Sequence, residues 1–294
     1  MGQALFDASP AAKEVFEKVA EATGTDVAKL CFESDENTLR QTQNAQIALF
    51  TVGVAAYRAL GEAAPDHPVS AAAGHSVGEY AALAAAGVLG VSEGATLVRR
   101  RGDLMARAGN LNPGTMAAVI GLETGQVEEV CKRLNGICVI ANDNCPGQIV
   151  ISGDVATVEA AAGPLKEAGA KRVLPLNVSG AFHSPLMEDS AEAMAPALDL
   201  AQFAEGAMPV YCNVTAEPGK DWPQMLRRQL ASTVRWNETV QRMIADGYTT
   251  FLECGQGTVL TGLLRRIDSN ATGIALNDPE SLAAAVDSLK EKQA

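Results

Sequence analysis

Val69-Ser70-Ala71-Ala72-Ala73-Gly74-His75-Ser76-Val77-Gly78-Glu79-Tyr80 is the stretch on which the fold turns. A short run of small apolar residues ends in Gly74-His75-Ser76-Val77-Gly78, and a helical stretch from Glu79 to Ala86 follows. The pentapeptide fits G-x-S-x-G, in which a serine on a tight strand-to-helix turn is forced outward. Flanking glycines remove side chains that would clash there. The helix that follows aims its free N–H groups at the place where an oxyanion develops. The bland alternative is a Gly-rich turn with an incidental serine. The apolar run before and the helix after argue against it.

Upstream, residues 1–64 read as helical, with Val15, Phe16, Val19 and Ala20, then Ile47, Leu49, Val52, Ala55, Ala56 and Leu60, at helical spacing. Ser34-Asp35-Glu36-Asn37 reads as a polar loop between them. Downstream a second helix covers about Glu93 to Ala108. Residues 113–176 then read as strand Met116–Ile120, helix Thr124–Leu134, strand Ile137–Ala141, strand Gln148–Ser152, helix Val155–Ala168 and strand Arg172–Leu176. That β-α-β-β-α-β order is the pattern of a ferredoxin-like unit. Helix Met187–Leu198, strand Val210–Val214, helices Met225–Leu230 and Glu238–Ile244, strand Thr249–Glu253, helix Val259–Ile267, an edge strand at Ala275-Leu276 and helix Leu282–Lys290 return to α/β alternation. The expected fold is α/β: a core of 1–112 and 183–294 carrying a parallel sheet, with an α+β subdomain inserted at 113–182.

Composition narrows the function. Among 294 residues, 23 Lys+Arg against 35 Asp+Glu give a net charge of −12, which disfavours a general nucleic-acid binder. Hydrophobic residues at 47% supply a core, while no apolar run reaches a membrane span and no signal peptide opens the chain. A soluble, cytoplasmic protein is the expectation. Cys31, Cys131, Cys138, Cys145, Cys212 and Cys254 form no CxxC pair and read as reduced, mostly buried thiols. With only His67, His75 and His183 available, and His67 in a Pro-rich loop, metal catalysis is disfavoured.

A serine hydroxyl needs a base. His183, between a strand and a helix, is the better candidate, because His75 is adjacent to Ser76 and points elsewhere from a tight turn. Arg99-Arg100-Arg101 lies on the second helix, where successive residues are about 100° apart. One of the three must therefore face a neighbouring element, where a buried guanidinium suits a carboxylate ligand. Gly255-Gln256-Gly257 lacks the full spacing of a phosphate cradle and reads as a tight turn.

Several ordered blocks resemble one family, the malonyl-CoA:acyl carrier protein transacylases of fatty acid synthesis. They are Gln41-Thr42-Gln43, Gly74 to Tyr80, Arg101-Gly102 with Met105, Asn144-x-Pro146-Gly147-Gln148, Ser152-Gly153, Val178 to Met187, Arg228-Gln229-Leu230, Val234-Arg235-Trp236 and Leu260-Thr261-Gly262-Leu263. The resemblance implies a hydrolase-like core with the inserted subdomain. It implies Ser76 as nucleophile, His183 as base, Gln229 orienting His183 in place of an aspartate, and Arg101 pairing with the malonyl carboxylate. It further implies the Val77 N–H as an oxyanion donor, with Gln43 and Phe182 in the substrate site. The Gly180-Ala181-Phe182-His183 block resembles the malonyl-selecting variant.

The implied reaction is ping-pong transfer from malonyl-CoA to acyl carrier protein by a monomer without cofactor. That acidic partner would be met by a basic patch at Arg227-Arg228, Arg265-Arg266 or Lys171-Arg172. Family members normally open with a further strand and a GQGSQ-type loop that gives a second oxyanion donor. Met1-Gly2 aligns just beyond it, so a truncated or mis-started chain is expected. Asn44, Thr233 and Gln256 stand where proline is common. The competing readings are a serine esterase or thioesterase, and a non-catalytic chain that only docks acyl carrier protein.

Overall fold

The computed structural model describes residues 1–178 and 180–291, so Ser179 of the Val178–Met187 block lies outside the described residues. Five helices open the chain: α1 (Gln3–Ala8), α2 (Pro10–Thr23), α3 (Val27–Glu33), α4 (Glu36–Arg40) and α5 (Thr42–Ala63). The polar segment expected as a loop holds α4, because the Asp35 carboxylate accepts the Thr38 N–H and caps it. Helix α5 is the axle of the core. Ile47, Phe50, Val52, Val54 and Leu60 are buried around most of its circumference, as befits a helix surrounded by others.

Strand β1 (Ala72–Ala73), helix α6 (Gly78–Ala85) and helix α7 (Val91–Leu111) follow. Strand β2 (Gly114–Ile120), α8 (Thr124–Arg133), β3 (Cys138–Cys145), β4 (Gln148–Asp154), α9 (Val155–Ala160), α10 (Ala162–Glu167) and β5 (Arg172–Pro175) come next. They form one antiparallel four-stranded sheet in the order β3-β4-β2-β5. Ile149 and Ile151 of β4 turn to one face, into a core with Val127, Val130, Val158 and Leu165 from the helices. Val150 turns to the other, beside Met116, Ala141 and Phe182. This is the period-2 alternation of a strand with two covered faces. The single helix expected over 155–168 is two, since Pro164 has no N–H to give to the residue four back.

The remainder comprises a 3₁₀ turn at Pro185–Met187, α11 (Glu188–Leu200), β6 (Val210–Tyr211), α12 (Trp222–Gln229), α13 (Trp236–Ala245), β7 (Thr250–Cys254), α14 (Val259–Ile267), β8 (Thr272–Leu276) and α15 (Pro279–Glu291). Here the expected single parallel sheet is two pairs, β1 with β6 and β7 with β8, each parallel. No ladder joins the pairs among the described residues. A cavity of about 740 Å³ lies between them, walled by Ala72 and Ala73, by Thr250 to Cys254, and by Leu49, Gly53 and Tyr57 of α5. Strand β7 is only half-buried along its whole length, unlike a strand flanked on both sides in a parallel sheet. Strand β6 is shorter than the sequence suggests because the chain turns back at Cys212, whose N–H donates to Glu217 O and whose carbonyl accepts the Ala216 N–H.

Candidate active site

Ser76 sits on the turn between β1 and α6 with φ +53, and His183 has φ +57. Both lie in the left-handed region, which costs a non-glycine residue about 1–3 kcal/mol and persists only where surroundings enforce it. Gly74 is one enforcer: a Cβ there would lie 1.9 Å from Gly78 O. Gly78 itself is not sterically required, since its Cβ would meet nothing within 4 Å. Only one of the two flanking glycines thus clears a clash.

The other enforcers are side chains. Asn213 Oδ1 accepts the Ser76 N–H at 2.8 Å, and Asn213 Nδ2 donates to Gly74 O at 2.7 Å. Gln229 Nε2 donates to Ser76 O at 2.9 Å. With the Ser76 N–H taken, the Val77 N–H makes no backbone hydrogen bond among the described residues.

Ser76 Oγ lies 2.7 Å from His183 Nε2. His183 Nδ1 lies 2.9 Å from the Gln229 backbone carbonyl, which can only accept. Nδ1 therefore carries the proton, and Nε2 turns a lone pair to Ser76. The Gln229 group that meets His183 is its main-chain oxygen. The side chain is committed elsewhere, to Ser76 O, Glu79 and Arg101. Burial, and then the Arg101 charge, lower His183 to about 3, so the ring is neutral at pH 7.

Arg101 is the inward-facing member of its triplet and is fully buried. Its Nη2 donates to Ser76 Oγ at 3.0 Å and to Gln229 Oε1 at 2.9 Å, and its Nη1 donates to Gln46 Oε1 at 2.6 Å. Arg99 pairs with Asp103 and Arg100 reaches Ala193 O, both on the outside. Among the described residues no carboxylate forms an ion pair with Arg101. Its Nε is buried without a partner.

Gln43 is brought beside Gly102, its Cα 2.9 Å from where a Cβ on that glycine would stand, yet its side chain donates to Gln41. The glutamine that touches Arg101 is Gln46, one turn along on the buried face of α5. Its periodicity with Ile47 and Phe50 was the available signal. Phe182 is half-buried against the antiparallel unit, one residue before His183. His75 is held by other partners, its Nε2 2.8 Å from Asn144 Oδ1 and its ring 5.6 Å from that of Trp236.

Asn213 and Glu79 escaped the sequence reading. Asn213 is far from the pentapeptide in sequence, and only the β1–β6 pairing brings it there. The antiparallel unit also grips the loop after Gln229: Val234 N donates to Ala141 O, Asp143 N to Val234 O, and Thr233 Oγ1 to Ile140 O. Gly255 and Gly257 have φ +132 and +90, as a tight turn requires. All six cysteines are free, five of them buried. No described helix is long and apolar enough to cross a membrane, and no group of three metal-ligating side chains occurs among the described residues. Of the three basic pairs, Arg227 is engaged by Glu192, Arg266 holds Gln148 and Pro146 O, and Lys171 and Arg172 are exposed.

A serine–histidine pair with a buried arginine at the strand-to-helix turn of an α/β fold narrows the class of protein, and the family follows. The acyl transferase domain family matches residues 1–276, and the chain belongs to it. Among its relatives, the malonyl CoA-acyl carrier protein transacylase of Bacillus subtilis (strain 168) is 40% identical over 300 residues, which cover 99% of this chain and 93% of that protein. The crystal structure of the acyl-carrier-protein-S-malonyltransferase from Bartonella henselae superposes with a TM-score of 0.94 at 39% identity, covering 99% of this chain and 95% of that one. A malonyl-transacylase in complex with its type II PKS acyl-carrier protein gives 0.93 at 36% identity, with 98% and 94% covered.

Proposed function

We propose that this chain transfers a malonyl group from malonyl-CoA to the phosphopantetheine thiol of acyl carrier protein, through a malonyl ester on Ser76. The relatives named above carry that activity in their names. One observation carries the reading to these residues: Ser76 Oγ sits between His183 Nε2 and the buried, unpaired cation of Arg101. A cation against a serine nucleophile favours an acyl group that brings its own carboxylate.

In this reading the Ser76 proton passes to His183 Nε2 as Oγ attacks the thioester carbonyl. The charge that develops on the carbonyl oxygen is met by the Val77 N–H. Collapse expels the coenzyme A thiolate, which takes the proton from His183, and leaves malonyl on Ser76. The carrier thiol then gives its proton to His183 and attacks the ester, and Ser76 leaves and is reprotonated. Arg101 holds the malonyl carboxylate in both half-reactions, Phe182 and Gln43 border the acyl site, and the Gln229 carbonyl keeps His183 in its basic tautomer. The described chemistry uses only the chain's own groups, in a monomer, in the cytoplasmic setting expected from the sequence.

The same reading takes residues 113–182 as a ferredoxin-like unit inserted in a hydrolase-like core. The β-α-β-β-α-β order and the strand order β3-β4-β2-β5 support it.

Incubation with malonyl-CoA should leave one malonyl group on Ser76 by intact mass and peptide mapping, and acyl carrier protein should discharge it. A docking chain leaves Ser76 unlabelled, and an esterase passes the acyl group to water instead of the thiol; either result sinks the proposal. Arg101→Ala should lower the preference for malonyl over acetyl by about ten- to a hundredfold, the worth of a charged hydrogen bond.

A further inference from the structure

Glu79 is a fully buried acid on the first turn of α6, three residues beyond the nucleophile. Its carboxyl faces the Cys212 thiol and two stronger donors. Oε1 accepts the Asn213 backbone N–H at 2.8 Å, and Oε2 accepts from the Gln229 side-chain amide. These are the two residues whose side chains hold the Ser76 N–H and the Ser76 carbonyl.

The Gln229 amide has two possible orientations, and its neighbours choose between them. On one side stand oxygens, those of Glu79 and the Ser76 backbone. On the other stands Arg101 Nη2, which can only donate. Turning the amide over would set NH₂ against the guanidinium and oxygen against two oxygens, losing three hydrogen bonds at once. Glu79 therefore joins the Ser76 carbonyl in fixing which end of Gln229 meets Arg101, and Arg101 in turn donates to Ser76 Oγ.

We propose that Glu79 is a positioning residue, acting through the Gln229 side chain and Asn213 to hold Ser76 and Arg101 in their reacting arrangement. This deepens the transferase reading and rests on it for its first readout. Burial pushes the Glu79 carboxyl up to about 7 against the pull of the Asn213 N–H and the Gln229 amide. That is a cost a residue merely filling space beneath α6 would not carry.

The test is Glu79→Gln, which keeps the size but replaces one of the two acceptor oxygens with an NH₂ that meets a donor. Malonylation of Ser76 should slow by about ten- to a hundredfold, and the preference for malonyl over acetyl should fall by about tenfold. Gln229→Ala should lose a similar preference, and the double variant should lose clearly less than the two single losses combined, because Glu79 acts in part through Gln229. A folded Glu79→Gln protein with wild-type preference, or fully additive losses in the double variant, overturns the proposal. Should Glu79→Gln fail to fold, Gln229→Ala decides alone, and an unchanged preference there overturns it too. A parent protein that forms no malonyl-serine defeats the transferase reading instead. The positioning role is then read from the rate at which a fluorophosphonate labels Ser76, which Glu79→Gln and Gln229→Ala should both lower and which unchanged rates would refute.

Discussion

The antiparallel unit between Gly114 and Pro175 carries its four strands in one sheet, whereas the parallel strands around Ser76 stand in two separate pairs. In the first, β2 alone is paired to β4 over seven residues without a register shift. In the second, β1 has two paired residues, and its neighbour across the cavity, β7, is half-exposed throughout. The difference follows from connectivity. Antiparallel strands close over short connections, while parallel ones need long crossovers and are held largely by the helices packed on them. Where the ladder is short, side chains take over the backbone's partners, which is why Asn213 and Gln229 hold both the N–H and the carbonyl of Ser76.

If this division of labour holds, one class of substitution should act differently in the two regions. Gly74→Ala forces a Cβ to 1.9 Å from Gly78 O, beneath the nucleophile. Gly136→Ala, in the antiparallel unit, places one 2.1 Å from Thr157 Oγ1 at φ +138. Each should cost about 1–3 kcal/mol in denaturant unfolding. Only Gly74→Ala should also lower malonyl transfer per folded molecule, by about a hundredfold, the price of shifting a reacting atom by roughly 1 Å. Equal losses of transfer from both would break the comparison and make the antiparallel unit part of the catalytic apparatus.

The antiparallel unit was also the more legible region. Its strands alternate, its turns are marked, and every partner lies within about sixty residues, so element order fixed the topology. In the core, Gly74-His75-Ser76-Val77-Gly78 announced the turn, and the Arg99–Arg101 triplet announced an inward cation by its angular spacing alone. What stayed hidden depends on pairing between distant segments. Asn213 meets Ser76 only because β6 lies beside β1, and the acceptor for His183 is a main-chain atom that no side-chain pattern encodes. Gln46 was missed because a block shared with a family names a segment, whereas burial on a helix is decided by a step of three residues.

An ordinary histidine, with a pKa near 6.5, is about thirtyfold more often charged than neutral at pH 5. His183, lowered to about 3, should stay neutral there. Its ring resonances in ¹H–¹³C spectra should therefore not move between pH 8 and pH 5, and a transition near 6.5 would show that the pair is less buried than described. Ring spectra are the right gauge because global stability mixes opposing slopes. His183 costs stability as the pH falls below 6.5, since the unfolded chain takes up a proton that the folded one refuses. Glu79, raised to about 7, does the reverse: its contribution is complete below its unfolded value of 4.5 and is lost as the pH rises through 7.

The smallest expected effect sharpens the comparison most finely. Gly78 is the second glycine of the pentapeptide, and the pattern alone would rank it with Gly74. A Cβ at Gly78 meets nothing within 4 Å, and its φ is not in the left-handed region. It also opens α6, where alanine is favoured over glycine by lower unfolded-state entropy. Gly78→Ala should therefore raise the unfolding free energy slightly, by about 0.5 kcal/mol. If malonyl transfer is unchanged, the second glycine serves neither the turn nor the acyl group. If transfer falls while stability holds, the open space above Gly78 is where the thioester approaches Ser76, and the glycine belongs to the substrate rather than to the fold.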